Sequence, residues 1–194
     1  MIRSPDLMSR RDTALLVIDV QERLVPSMRG RGALIWNIGR LITGAKLLGL
    51  PVLATEQYPQ GLGGTLPELV EKLSPQAVIP AKRAFSCGEL QSLFEPLQAA
   101  GIFRILVAGI ETHVCVLQTT LDLMHSGFRL YVAADAVSSR QPLDHELALR
   151  RMESSGATLT TTEAALFEWC ESSAAAEFKE ISRLVKDVGP SDHG

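Results

Sequence analysis

Residues 103–120 read FRILVAGIETHVCVLQTT, and the two halves of the stretch carry different periods. Phe103 to Ile110 is a near-continuous apolar run closing on Gly-Ile, the pattern of a strand covered on both faces in a parallel sheet. Beyond it, Val114, Leu117, Leu121 and Met124 recur at helical spacing until Gly127 stops the helix. The junction puts Cys115 in the first turn of a helix that leaves a buried strand. Free backbone N–H groups and the positive end of the helix dipole favour an anion there, so the spacing predicts an enriched thiolate. The same N–H groups suit a carbonyl oxygen as it becomes an oxyanion, where one donor is worth about 3 kcal/mol of barrier. A cysteine in an apolar helix is also an ordinary small core residue, and this stretch alone leaves both readings open.

Working outward, the same alternation repeats. Thr13 to Val20 (TALLVIDV) is an apolar strand with Asp19 near its end, and Leu34, Ile38, Leu41, Ile42, Ala45 and Leu48 mark a helix face closed by Gly49 and Pro51. A strand is predicted over Pro51 to Thr55, a short helix around Pro67 to Leu73, a strand near Ala77 to Pro80 and a helix over Glu89 to Ala100. On the other side follow a strand over Phe128 to Ala134, a loop Asp135 to Arg140, a helix from Pro142, a strand Ala157 to Thr160 and a helix Glu163 to Cys170. Phe178, Ile181, Leu184, Val185 and Val188 line a last helix. Strands alternating with helices about six times predict one α/β domain over residues 1–194, in three layers, with a doubly wound, Rossmann-like parallel sheet and helices on both faces. Its core spans about residues 12–170, with a C-terminal helix at about 174–188 and a disordered tail at 189–194.

Composition narrows the function classes. The chain has 194 residues, 46% of them hydrophobic, enough for one substantial core. Net charge is −3, and no run of Lys or Arg exceeds a pair, which speaks against nucleic acid and anionic membrane as partners. Three widely spaced cysteines make no disulfide framework, and no CxxC or Cys/His cluster suggests a metal site. With no signal-like apolar segment and no apolar span approaching 18 residues, a cytoplasmic location is expected.

The glycines Gly61, Gly63 and Gly64 miss the phosphate-loop spacing and read as a flexible loop bordering a pocket. Asp19 alone reads either as an acid at the strand end where open α/β sheets carry their ligand crevice or as a turn cap, and Lys82, just past a predicted strand, as a surface lysine. Topology changes that weighting. Asp19, Lys82 and Cys115 each close a different strand, so in a parallel sheet all three open on one edge. Together they suffice for acyl transfer: Asp19 takes the thiol proton, Lys82 supports both anions and Cys115 attacks. His113 is the rival base, but two residues on a helix is roughly 200° of rotation away from Cys115. His125 and His145 read as solvated helix-surface residues.

On these residues the chain resembles the isochorismatase-like cysteine hydrolases, over about residues 12–170. The segments that carry the resemblance are LLVIDVQERL with Asp19, AKRAFSC with Lys82 and VAGIETHVCV with Cys115. The resemblance implies a six-stranded parallel sheet, a homo-oligomer of two or more subunits, and a cis peptide just before Glu111. It also implies an oxyanion hole from the backbone N–H groups of Glu111 and Cys115. Nicotinamidases of that superfamily carry an Asp and two His after the second strand as metal ligands. Here Thr55-Glu56-Gln57-Tyr58 stands instead, and no histidine occurs between residues 1 and 112, so no metal and no cofactor are expected. The closest flavour is the isochorismatase-domain-containing group related to YcaC.

The expected function is a metal-free cysteine hydrolase cleaving a small amide or related acyl C–N bond through a Cys115 thioester. Loop position nominates Gln57, Tyr58, Phe85 and Glu111 for the substrate pocket. A catalytically silent binding or scaffold protein and a vinyl-ether hydrolase of the isochorismatase type are the alternatives. A Rossmann-type nucleotide role lacks the glycine fingerprint, since VQERL occupies the first strand-to-helix turn.

Overall fold

The structure, a computed structural model, describes residues 3–74 and 77–190. Strand β1 (Thr13–Ile18) is buried at every position. After a 3-10 turn at Val25–Ser27 come α1 (Arg31–Leu47) and β2 (Val52–Gln57). Two one-turn helices follow, α2 (Pro59–Leu62) and α3 (Pro67–Val70), each opened by a proline where the missing N–H would be unpaired in any case. Strand β3 is only Ala81–Lys82, followed by a 3-10 turn at Cys87–Glu89 and α4 (Gln91–Ala99). Then come β4 (Arg104–Ile110), a π-helical turn at Thr112–Val116, α5 (Leu117–His125), β5 (Arg129–Ser138) and α6 (Pro142–Ser154). The order closes with β6 (Thr158–Thr160), α7 (Thr162–Cys170) and α8 (Phe178–Lys186).

The six strands lie in the order β3-β2-β1-β4-β5-β6, all parallel. The chain winds outward from β1 to β2 and β3, then returns to start the other half at β4. The switch point is therefore the crevice between β1 and β4, where open α/β sheets carry their ligands. Alternation along the strands fills both faces. Ala14, Leu16, Ile18, Ile105 and Val107 pack with Phe94, Leu123 and Met152 from α4, α5 and α6. Leu15, Val17, Leu106 and Ala108 pack with Ile38, Leu166 and Ile181 from α1, α7 and α8. Each large aliphatic chain so buried contributes about 1.5–3 kcal/mol, and the interiors of β1 and β4 carry no polar residue. At the switch point β4 approaches β1 closely. A Cβ on Gly109, whose φ is 121°, would sit 2.1 Å from the Ile18 carbonyl oxygen, so no side chain fits there.

The three-layer, doubly wound sheet is the one expected, with local corrections. The third strand is not Ala77 to Pro80 but Ala81–Lys82, because pairing with β2 begins only at Glu56 opposite Ala81. The expected loop 135–140 is mostly strand: β5 continues to Ser138, re-pairing with β4 after a register shift between Val107 and Gly109. The last helix ends at Lys186, leaving Val188 exposed. In the expected disordered tail, Gly189 lies against the Trp36 ring, and residues 191–194 lie outside the described residues.

Candidate active site

Asp19 directly follows β1 in a left-handed conformation, φ 53°. That costs an ordinary residue roughly 1–2 kcal/mol, and aspartate tolerates it better than most. Its N–H donates to the Thr55 carbonyl at 3.1 Å and its own carbonyl accepts from Gln21 N–H at 2.9 Å. The carboxylate is held on both sides, Oδ2 by Lys82 Nζ at 2.6 Å and Oδ1 by the Thr55 hydroxyl at 2.8 Å. With both oxygens occupied by side chains, Asp19 is not a turn cap.

Lys82 ends β3 opposite Gln57 of β2. Its side chain and that of Asp19 are both 0% exposed, which removes the surface-lysine reading. Besides Asp19, Nζ donates to Gln57 Oε1 at 2.8 Å and to the Phe85 carbonyl at 2.8 Å, with the Ala84 carbonyl farther off at 3.3 Å. Glu89 fixes that turn by accepting the N–H groups of Arg83 and Ala84 at 2.7 and 2.9 Å. Burial works against the ammonium charge, but the Asp19 carboxylate, by charge and by hydrogen bond, favours it, and Lys82 titrates above its ordinary value.

Cys115 is 6% exposed and lies in the π turn rather than in the first turn of an α-helix. The Glu111 carbonyl accepts from Val114 and Val116 at 3.1 and 3.2 Å, bypassing the Cys115 N–H between them. The peptide joining Ile110 to Glu111 is cis. Burial pushes the Cys115 thiol well above its ordinary titration range, the Asp19 carboxylate pushes the same way by charge and as a hydrogen-bond acceptor, and Lys82 opposes them. The expected enriched thiolate is therefore corrected to a resting thiol: a single turn of helix offers less to an anion than burial and an adjacent carboxylate take away.

Of the remaining candidates, Gln57 joins the cluster through Lys82. Phe85 contributes its carbonyl while its ring is 52% exposed, and Tyr58, 41% exposed, lies under the Arg83 guanidinium at 4.3 Å. The Glu111 carboxylate accepts from Arg140 N–H and Nε at 3.2 and 3.0 Å. His113 faces away as expected, its Nδ1 3.0 Å from Ser139 Oγ. His145 is not a solvated surface residue: Nδ1 lies 2.9 Å from the Thr112 hydroxyl, and burial lowers its titration.

Sequence reasoning passed over Gln21, Thr55 and Glu89, and read Cys87 as either core or pocket wall. Fully buried Gln21 donates to the Gln57 and Gly63 carbonyls at 3.0 and 2.6 Å and accepts Gln57 N–H at 2.7 Å, pinning the glycine loop to the end of β2. That loop was expected to be flexible, yet Arg23 also reaches the Gly61 carbonyl at 2.7 Å. The available signal was position: Gln21 two residues past the acid, and Thr55 polar at the end of an apolar strand. Cys87 Sγ lies 3.6 Å from Thr55 Oγ1, its thiol pushed up to about 11, chiefly by burial.

The cluster brings together a thiol, a carboxylate able to take its proton and a buried ammonium that orients the carboxylate, the parts of a general-base-assisted nucleophile. Among the described residues, no group of three or more His, Cys, Asp or Glu could hold a metal ion, and no helix is long and apolar enough to cross a membrane.

Set beside known proteins, residues 13–164 match the isochorismatase domain family. The zebrafish isochorismatase domain-containing protein 1 is 37% identical over 177 residues, which cover 89% of this chain and 60% of that protein, so the chain spans about three fifths of that relative's length. Among solved structures, the MAR1 ribonuclease of Caenorhabditis elegans superposes with a TM-score of 0.88 at 36% identity, covering 95% of this chain and 94% of that one. YcaC from Pseudomonas aeruginosa, solved with hexane-2,5-diol and covalent acrylamide, gives 0.85 at 25% identity, covering 95% and 94%.

Proposed function

The chain belongs to the isochorismatase family of hydrolases, and from that premise we propose that it is a metal-free cysteine hydrolase acting on a small amide or related acyl compound. The observation that carries the reading is the buried Asp19–Lys82 pair, Nζ to Oδ2 at 2.6 Å, with buried Cys115 close enough for the Asp19 carboxylate to push its thiol up. Asp19 takes the Cys115 proton as sulfur attacks the carbonyl carbon, so no standing thiolate is required. The oxyanion accepts the N–H groups of Glu111 and Cys115, and one such donor is worth about 3 kcal/mol. The tetrahedral intermediate collapses by breaking the C–N bond while Asp19 returns the proton to the departing amine. Water then gives its proton to Asp19 and attacks the thioester, and the released Cys115 sulfur recovers that proton. Lys82 stays charged throughout and keeps Asp19 aimed.

The donor set at the end of β2 supports the metal-free reading. Its single carboxylate, Glu56, is engaged by Thr65 N–H and hydroxyl at 2.7 and 2.9 Å. The covalent acrylamide named for the YcaC neighbour supports a reactive nucleophile in this fold, since acrylamide captures nucleophiles at its alkene carbon. A screen of small primary and secondary amides, with mass spectrometry for an acyl group on Cys115, tests the proposal. The expected result is an adduct and turnover that Cys115→Ala abolishes; turnover by that variant overturns covalent catalysis.

The name of the nematode neighbour favours a second reading, RNA cleavage. Against it stand the net charge of −3 and a site lysine fully engaged by Asp19, Gln57 and Phe85 rather than free for phosphate. Incubating the same preparation with single-stranded RNA, with Cys115→Ala as control, separates the two readings.

A further inference from the structure

Thr55 stands behind the reacting pair and touches Asp19 twice. Its carbonyl accepts Asp19 N–H at 3.1 Å, and its hydroxyl donates to Asp19 Oδ1 at 2.8 Å. Both contacts follow from the register that sets Ile18 of β1 against Thr55 of β2, so one residue holds the backbone and the carboxylate of an aspartate in a left-handed conformation. Thr55 is 1% exposed, so these bonds are shielded from bulk solvent.

The direction of the Thr55 hydroxyl is itself determined. Its one proton goes to Asp19, so toward Cys87 Sγ, 3.6 Å away, the oxygen can only accept. The Cys87 N–H in turn donates at 2.9 Å to the hydroxyl of Thr119, one helical turn past Cys115 on α5. A buried chain of hydrogen bonds thus runs from Asp19 through Thr55 and Cys87 to the helix that follows the nucleophile.

We propose that Thr55 is a positioning residue that presents Asp19 to Cys115 and holds it as the ionised base. The inference rests on the reading of Asp19 as the base for Cys115. Two donors flank the carboxylate, Lys82 on Oδ2 and Thr55 on Oδ1, and a hydrogen bond to an ionised carboxylate favours the ionised form. The titratable groups facing Asp19 are Lys82 from β3, Cys87 from the 3-10 turn and Cys115 from the π turn. Each survives replacement of Thr55. Valine has nearly the shape of threonine and keeps the backbone bond, so Thr55→Val removes the hydroxyl alone, while Thr55→Ser keeps it.

The test needs no substrate. The rate of alkylation of Cys115 by iodoacetamide, read by mass spectrometry of the digest from pH 4 to 10, has a low-pH phase that depends on Asp19 taking the proton. In Thr55→Val this phase moves to higher pH by about one unit, the tenfold change typical of losing one hydrogen bond to a charged group, and its amplitude falls. Thr55→Ser restores both. A Thr55→Val profile that overlays the wild type, with circular dichroism unchanged, overturns the proposal, and so does a Thr55→Ser profile as displaced as that of valine. Asp19→Asn separates the two levels of inference. If the low-pH phase survives that change, the base assignment itself fails and takes Thr55 with it; if the phase disappears there but ignores Thr55→Val, Thr55 alone is wrong.

Discussion

The carboxyl edge of the sheet has two ends that differ in kind. Around β1, β2, β3 and β4, Asp19, Lys82, Thr55 and Cys115 are buried, and the Asp19 carboxylate accepts from both Lys82 and Thr55. Around β5, polar groups line an open groove of about 370 Å³ that includes Asn37, Asp135, Ser138, Ser139 and His145. There the bonds run to backbone and side chains alike: Asn37 donates to the Asp135 carbonyl, Ser138 to the Arg29 carbonyl, Asp135 accepts Thr162 N–H at the start of α7, and Ser139 and His145 pair with His113 and Thr112. The groove's polar groups hold helices to the sheet. Those of the dry cluster converge on one buried carboxylate. Polarity at the right edge of the right fold is thus insufficient to mark chemistry; mutual satisfaction without water is the better sign.

The contrast can be broken by mutation. Cys115→Ala should remove hydrolytic turnover by at least about a thousandfold while the thermal midpoint stays within a few degrees, since little volume is lost. Lys82→Met should destabilise the protein by about 3–5 kcal/mol in urea unfolding, because Asp19 is left as an uncompensated buried charge. Adding Asp19→Asn to Lys82→Met should recover part of that loss, which a mere packing defect would not.

Asp19→Asn alone should lose turnover yet make Cys115 alkylate faster at pH 8–9. The sign follows from the carboxylate, which raises the thiol's titration; without it the thiolate appears at lower pH. An unchanged rate in that variant would show that burial alone governs the thiol. At the other end of the edge, Asp135→Ala removes an acceptor for Thr162 N–H and hydroxyl at 2.8 and 3.0 Å, which should cost only about 1 kcal/mol and leave turnover in place. A loss of activity from Asp135→Ala comparable to that from Cys115→Ala would erase the distinction between the two ends.

Much of the site was legible because apolar runs end where strands end. TALLVIDV and FRILVAGI announce buried parallel strands, and the first polar or reactive residue beyond such a run must lie at the carboxyl edge. Asp19 and Cys115 followed from that rule. Lys82 was found with its strand misplaced, because a two-residue strand carries no period to read. Gln57 was nominated from its loop and joins the cluster by bonding Lys82, whereas Tyr58 and Phe85, nominated on the same ground, keep much of their rings exposed.

The sequence by itself therefore determined the layered α/β fold and which residues end its strands, since hydrophobic period and chain order decide both. The register of β2 against β1 decided that Thr55 meets Asp19, and the bypassed amide of Cys115 came from the π turn. The protonation of Cys115 came from burial beside a carboxylate 96 positions earlier in the chain. Such properties belong to the environment a residue is folded into. Desolvation and hydrogen bonding act between groups distant in sequence, and only the tertiary structure brings those groups together.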